Sequence, residues 1–136
     1  GYVTEELDRF TLWNLRNRQY GVEVYMSHAW DRVLPPKENF SKHPEWFSLI
    51  GGERRAIQLC TTNQEMIAQF VENYKEMIRK DPERMWWSLS PNDGAAFCEC
   101  VNCKALDPGI YDVTLTSLPQ VTDRLVIFFN QVIEEI

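Results

Sequence analysis

Three features of the sequence predict an α/β fold with parallel strands, crossover helices and long loops after the strands. Along the 136 residues the order is helix, strand, long loop, helix, strand, long loop, helix, an alternation that joins parallel strands through helices. The second strand-like run, Met85-Trp86-Trp87-Ser88-Leu89-Ser90, is mostly apolar, as a strand covered on both faces must be. Both long irregular stretches follow strands, which is where α/β sheets gather their ligand sites. A chain of 136 residues can hide about two-thirds of its extended surface, so residues 1–136 read as one α/β domain or an excised part of a larger one.

The first helix is expected over residues 4–20, with Thr4 as cap, Glu5 and Glu6 in the first turn, a broad stripe of Leu7, Phe10, Trp13 and Arg16, and Gly21 as the stop. Residues 22–28 alternate β-branched and aromatic side chains like a strand, with Glu23 as the discordant member. Residues 29–62 show no helical period, and a connection this long carries function or small elements of its own. Within it, residues 46–55 read as a hairpin whose Gly51-Gly52 suits a primed turn. Thr62-x-x-Glu65 reads as a capping box opening a helix, with Met66, Ile67, Phe70, Val71, Tyr74, Met77 and Ile78 on one face. Lys75, Arg79 and Lys80 suit its C-terminal dipole, and Asp81-Pro82 ends it. After an irregular stretch at residues 107–119, a last helix sets Val121, Leu125, Phe128, Phe129, Val132, Ile133 and Ile136 on one face.

Composition narrows the function. The net charge is −6 and no basic run exceeds pairs such as Arg54-Arg55 and Arg79-Lys80, which argues against a nucleic-acid partner. The longest apolar window, residues 125–133, is broken by Asn130 and Gln131 and falls short of the roughly 20 residues a membrane span needs. Gly1 is not a natural start and the helical pattern still runs at Ile136, so the chain reads as cut from a longer protein whose remaining domains are its partners.

Two constellations carry chemistry. Cys98-x-Cys100-x-x-Cys103 places three thiols in one loop, and Cys60 lies in the other long loop, at the same rim if the strands are parallel. Zinc takes four tetrahedral N or S ligands, so these four cysteines form a candidate structural zinc site, with His28 and His43 as alternative fourth ligands. Disulfides are a second possibility, in which Cys60 pairs with one of the trio, and free buried thiols are a third. The other constellation is Asn92-Asp93 after the second strand-like run. Asp93 is the candidate acid/base carboxylate for glycoside cleavage, although Asn-Asp-Gly is also ordinary turn chemistry. His28 and Asn92 are candidates to position a sugar, Trp30 or Trp46 to stack on it, and His43 to join them. The expected partner is then a glycan, held or cleaved. A rival reading is a non-catalytic carbohydrate-binding or structural module with a zinc-ligated or disulfide-stapled loop.

Taken together, His43-Pro44-Glu45-Trp46-Phe47, Gly52-Glu53-Arg54, Gln58-Leu59-Cys60 with Asn63, Ser90-Pro91-Asn92-Asp93-Gly94 and the run from Cys98 to Asp107 resemble the bacterial family of domain of unknown function 4838. Trp13-Asn14-Leu15-Arg16-Asn17-Arg18 and Leu34-Pro35-Pro36 fit its earlier part. The resemblance implies a partial (β/α)8 TIM-barrel-like fragment of a multidomain protein, secreted or periplasmic, and similar to glycoside hydrolases. Asn92-Asp93 then resembles the Asn-Glu pair of barrel glycosidases, with Asp in place of Glu.

Overall fold

The computed structural model describes residues 9, 11–14, 16–17, 27–84, 86–109 and 120–136. Residues 9, 11–14 and 16 are helical (α1), in keeping with the predicted first helix, and the rest of that prediction lies outside the described residues. Then follow α2 (Trp30–Val33), α3 (Pro36–Asn39), a 3-10 turn (Pro44–Trp46), β1 (Phe47–Ile50), β2 (Glu53–Leu59), α4 (Gln64–Lys80), α5 (Val101–Lys104) and α6 (Thr122–Glu135).

The parallel α/β architecture and the (β/α)8 fragment are not what forms. Among the described residues the sheet is a two-stranded antiparallel hairpin, β1 against β2. The predicted first strand lies outside the described residues except for Ser27 and His28, which are not in a strand, and Trp86 to Ser90 form no ladder either. The run is instead partly covered by other elements, with Trp86 left exposed. Tyr74 Oη donates to Ser88 O at 3.1 Å, Trp30 Nε1 donates to Leu89 O at 2.9 Å, and Ala29 N donates to Ser90 O at 3.0 Å. A short apolar run can pack against helices and loops as well as in a sheet, so apolarity alone does not make it a strand.

The hairpin forms as predicted. Gly51 and Gly52 adopt φ of 58° and 87°, the positive pair that a two-residue primed turn demands. Ile50, Leu49 and Ser48 pair with Glu53, Arg54 and Arg55. The register then shifts, so that Phe47 faces Leu59 and β2 carries extra residues at the bulge. The remainder of the long loop is decorated with the short elements α2, α3 and the 3-10 turn.

α4 buries the stripe read from its spacing: Met66, Ile67, Phe70, Val71 and Tyr74 are buried. Its cap is Asn63, whose side chain accepts from Met66 N at 2.9 Å, and not Thr62. The core packs α4 against α2, α6 and the start of the hairpin. Phe128 is its centre, fully buried, with its ring edge-on to Trp30 at 5.5 Å and to Phe70 at 5.4 Å. On α6 the buried face runs through Val121, Arg124, Phe128 and Val132, whereas Ile133 and Ile136 of the expected stripe remain exposed. No helix among the described residues is long and apolar enough to cross a membrane.

Phe128→Ala is expected to cost about 3–5 kcal/mol in urea unfolding, since a fully buried ring leaves a cavity. Val126→Ala on the exposed side of α6 is expected to change stability by no more than about 0.5 kcal/mol. Equal costs would show that α6 is not seated through Phe128. Burial, opposed by the neighbouring Arg84 charge, pushes the Tyr74 phenol up to about 12. A folded value raised above the ordinary phenol value of about 10 means that the stabilisation is complete below about pH 10 and lost as pH rises towards 12. The urea midpoint is therefore expected to fall more steeply over that window in the native protein than in Tyr74→Phe.

Candidate metal centre

The site starts at β1, whose outer edge presents unpaired backbone groups. The segment after Phe97 covers it: Glu99 N donates to Leu49 O at 2.7 Å, and Leu49 N donates to Cys98 Sγ at 3.4 Å. Glu99 Oε2 accepts from Gly51 N at 2.9 Å, tying the same segment to the hairpin turn. Cys98 thereby points at the hairpin. Cys100 sits at the N-cap of α5, and Cys103 lies within that helical turn, so the chain doubles back and presents both sulfurs to one side. Cys60 follows β2 directly and is held by its own N–H donating to Trp46 O at 2.8 Å.

All four sulfurs lie within 4.8 Å of one another. Cys60 Sγ is 3.7 Å from Cys100 Sγ and 3.9 Å from Cys103 Sγ. The thiols are not bridged as disulfides. Cys60, Cys98 and Cys103 are buried, and Cys100 is the half-exposed member. Around them, Thr62 Oγ1 stands 3.2 Å from Cys103 Sγ and 3.9 Å from Cys100 Sγ. Arg54 Nη1 lies 3.9 Å from Cys98 Sγ while donating to Phe47 O at 2.6 Å.

Hydrogen bonds from the Cys103 and Cys98 thiols draw the Cys60 thiol far below the usual thiol range, against the opposing effect of burial. The complementary bonds with Cys103 and Cys60, together with burial, push the Cys98 thiol up. Adjacent buried thiolates repel unless a cation lies between them. The four cysteines can hold a metal ion.

The spacing fits one ion. A tetrahedral site with metal–sulfur bonds of about 2.3 Å has sulfur–sulfur edges of about 3.8 Å. The resolved contacts of 3.7 and 3.9 Å straddle that value. A sulfide-bridged iron cluster would set its thiolates on different irons and further apart. Four protein sulfurs would complete a tetrahedral shell around an ion and leave no open position for a water or substrate.

The other sequence-derived residues occupy different surroundings. His28 is exposed, and its Nδ1–H donates to Pro91 O at 2.8 Å. Asp93 is exposed and accepts from Gly94 N at 2.9 Å, the turn interaction that Asn-Asp-Gly favours. The Asn92 side chain donates to Ile57 O at 2.8 Å and to Asp31 Oδ1, and its backbone exchanges bonds with the buried Gln58, whose Nε2 reaches Asn92 O at 2.6 Å. Trp30 is 0% and Trp46 6% exposed, so both indoles are core and neither offers a ring face for stacking on a sugar. The imidazole of His43 stacks on Trp46 at 3.9 Å and 9°, with Nδ1 3.3 Å from Glu45 Oε1. Neither histidine belongs to the sulfur cluster.

Sequence reasoning gave no role at the site to Arg54, Gln58, Thr62, Asp107 or Arg124. Of these, Arg124 had a signal: it stands between Val121 and Phe128 on the apolar face of α6, where a guanidinium needs a partner. No curated protein and no solved structure matches the chain. The motifs at His43–Phe47, Ser90–Gly94 and Cys98–Asp107 nevertheless have a common home: the family model described as domain of unknown function (DUF4838) matches residues 2–136, and the chain belongs to that family.

Proposed function

We propose that this domain is a zinc-stapled structural module, in which Cys60, Cys98, Cys100 and Cys103 bind one zinc ion that fastens the loop after Phe97 to the β1–β2 hairpin. The observation that carries the reading is the mutual approach of four sulfurs within 4.8 Å, drawn from positions up to 43 residues apart. Soft thiolates select zinc, iron or copper(I) among common metals, and a closed tetrahedral sulfur set of this size suits a single redox-inert zinc ion. The ion would neutralise the charge that the cluster otherwise resists and would replace a missing hydrophobic staple at that end of the fold. Its role is to hold the chain together, since a complete protein shell gives it no substrate to activate.

Protein purified without added metal is expected to carry about one zinc per chain by elemental analysis. Cys103→Ser, at a fully buried ligand, is expected to lose most of it. Removing the metal with a chelator under reducing conditions should lower stability by about 4 kcal/mol relative to protein held at a thousandfold excess of zinc over its Kd. A metal content near zero with all four thiols titratable would end this reading.

We also infer a second role, supported by a different observation. Asp93 and His28 are both exposed next to the Pro91-Asn92 segment, which is hydrogen-bonded to His28, Gln58, Ile57 and Asp31. A carboxylate and an imidazole presented at a hydrogen-bonded segment suit the binding or cleavage of a glycan. The test is Asp93→Asn in the longest natural form of the protein against a panel of glycosides. Loss of turnover by about a hundredfold or more is expected of an acid/base residue, and unchanged turnover removes Asp93 from chemistry.

A further inference from the structure

Arg124 is 3% exposed, set among Val121, Phe128 and Val132 on the inward face of α6. A guanidinium in such a place persists only if its charge and its donors are met. Among the described residues, its bonds go to the cysteine loop. Nε donates to Asp107 Oδ1 at 2.7 Å, Nη2 donates to Asp107 Oδ2 at 2.6 Å, and Nη1 donates to the Cys98 carbonyl. Cys98 is itself one of the four sulfur donors. Asp107 is fixed to the turn that carries Cys103, through its N–H donating to Lys104 O at 3.2 Å, just as Leu106 N donates to Cys103 O at 3.2 Å.

The loop from Cys98 to Asp107 therefore has two faces. Its sulfurs turn towards the hairpin, and a carbonyl and a carboxylate turn towards α6, spaced to receive one guanidinium. We propose that Arg124 is a positioning residue for the metal site, so that zinc binding and docking of the C-terminal helix form one linked equilibrium. This rests on the reading that the four cysteines hold zinc. With the ion bound, the loop is rigid and presents Cys98 O and Asp107 at the separation Arg124 needs. Without it, the sulfurs lose their common anchor, the two acceptors drift apart, and Arg124 keeps a buried charge with an incomplete partner set. The coupling is reciprocal: whatever factor zinc adds to helix docking, the docked helix adds to zinc affinity.

The test uses the full chain, zinc alone as the probe, and two readouts. Elemental analysis of the unaltered protein first establishes whether zinc binds. If it does not, the underlying reading fails and this proposal falls with it. With zinc bound, amide exchange across Thr122–Glu135 is expected to slow markedly relative to chelated protein, while the centre of Gln64–Lys80 responds far less. Arg124→Met is expected to weaken zinc affinity about 10- to 100-fold, the range for residues that orient a metal's ligands, and to erase most of the zinc-dependent protection of α6. Asp107→Asn, which leaves Arg124 in place and keeps the side-chain volume, is expected to do the same and serves if Arg124→Met does not fold. Val126→Ala, on the exposed side of the same helix, touches neither the loop nor the docking face and is expected to leave zinc affinity unchanged. Zinc binding with identical α6 exchange in the loaded and chelated proteins would overturn the proposal. So would Arg124→Met or Asp107→Asn retaining full zinc affinity.

Discussion

Leu49 has both of its outward backbone groups committed to a segment 50 residues further along the chain. Its carbonyl accepts from Glu99 N and its N–H donates to Cys98 Sγ. A two-stranded ribbon leaves half of each strand's donors and acceptors exposed, and it is marginal in water unless something covers it. Here the cover is the cysteine loop, so closing the edge of β1 and assembling the sulfur cluster are one structural event. Cys60, at the end of β2, is delivered to the same place because the hairpin is short. The other elements are arranged around that closure.

Two cores meet at the hairpin, and they are held by different physics. On one side, Phe128, Trp30, Phe70 and their neighbours pack edge to face, and non-directional burial supplies the stability. On the other, Cys60, Cys98 and Cys103 form a small buried cluster, with Leu49 and Cys100 packed against it among the described residues. So few apolar atoms cannot hold that end by burial alone, and the sulfurs make sense there as ligands. Between the two cores runs a polar seam: Gln58 with Asn92 and Gly94, and Arg124 with Asp107 and Cys98. Buried polar groups of this kind are costly unless fully satisfied, and each of these has a geometrically specific partner. The seam therefore fixes which loop sits on which element.

The parts of the fold that were legible in the sequence were local. The stripe on α4 follows from side chains at helical spacing, and Gly51-Gly52 follows from a turn that needs two positive φ angles. Even here the tertiary contacts shifted details. Thr62 and Asn63 can each cap a helix, and Asn63 does so because the Thr62 hydroxyl is turned towards the sulfurs of Cys103 and Cys100. On α6 the expected stripe included Ile133, which is exposed, whereas the inward face includes Arg124. The meeting of Cys60 with the cysteine trio was anticipated, but from a shared rim of parallel strands that do not form. The true cause is an antiparallel hairpin edge, which the apolar run at Trp86 to Leu89 concealed by resembling a buried strand.

By itself, the sequence determined where helices can start and stop, where the chain must reverse, and which four side chains have the chemistry to share a metal. Those properties depend on neighbours within a turn or two, on backbone φ preferences and on the thiol group itself. Only the tertiary structure decided that the apolar run lies against α4 and α2 instead of in a sheet, and that Trp30 and Trp46 belong to the core. It also decided that a buried arginine joins the last helix to the cysteine loop. Each of those outcomes is set by which distant surface arrives to satisfy a backbone edge, a ring or a charge, and residue spacing along one chain does not encode that choice.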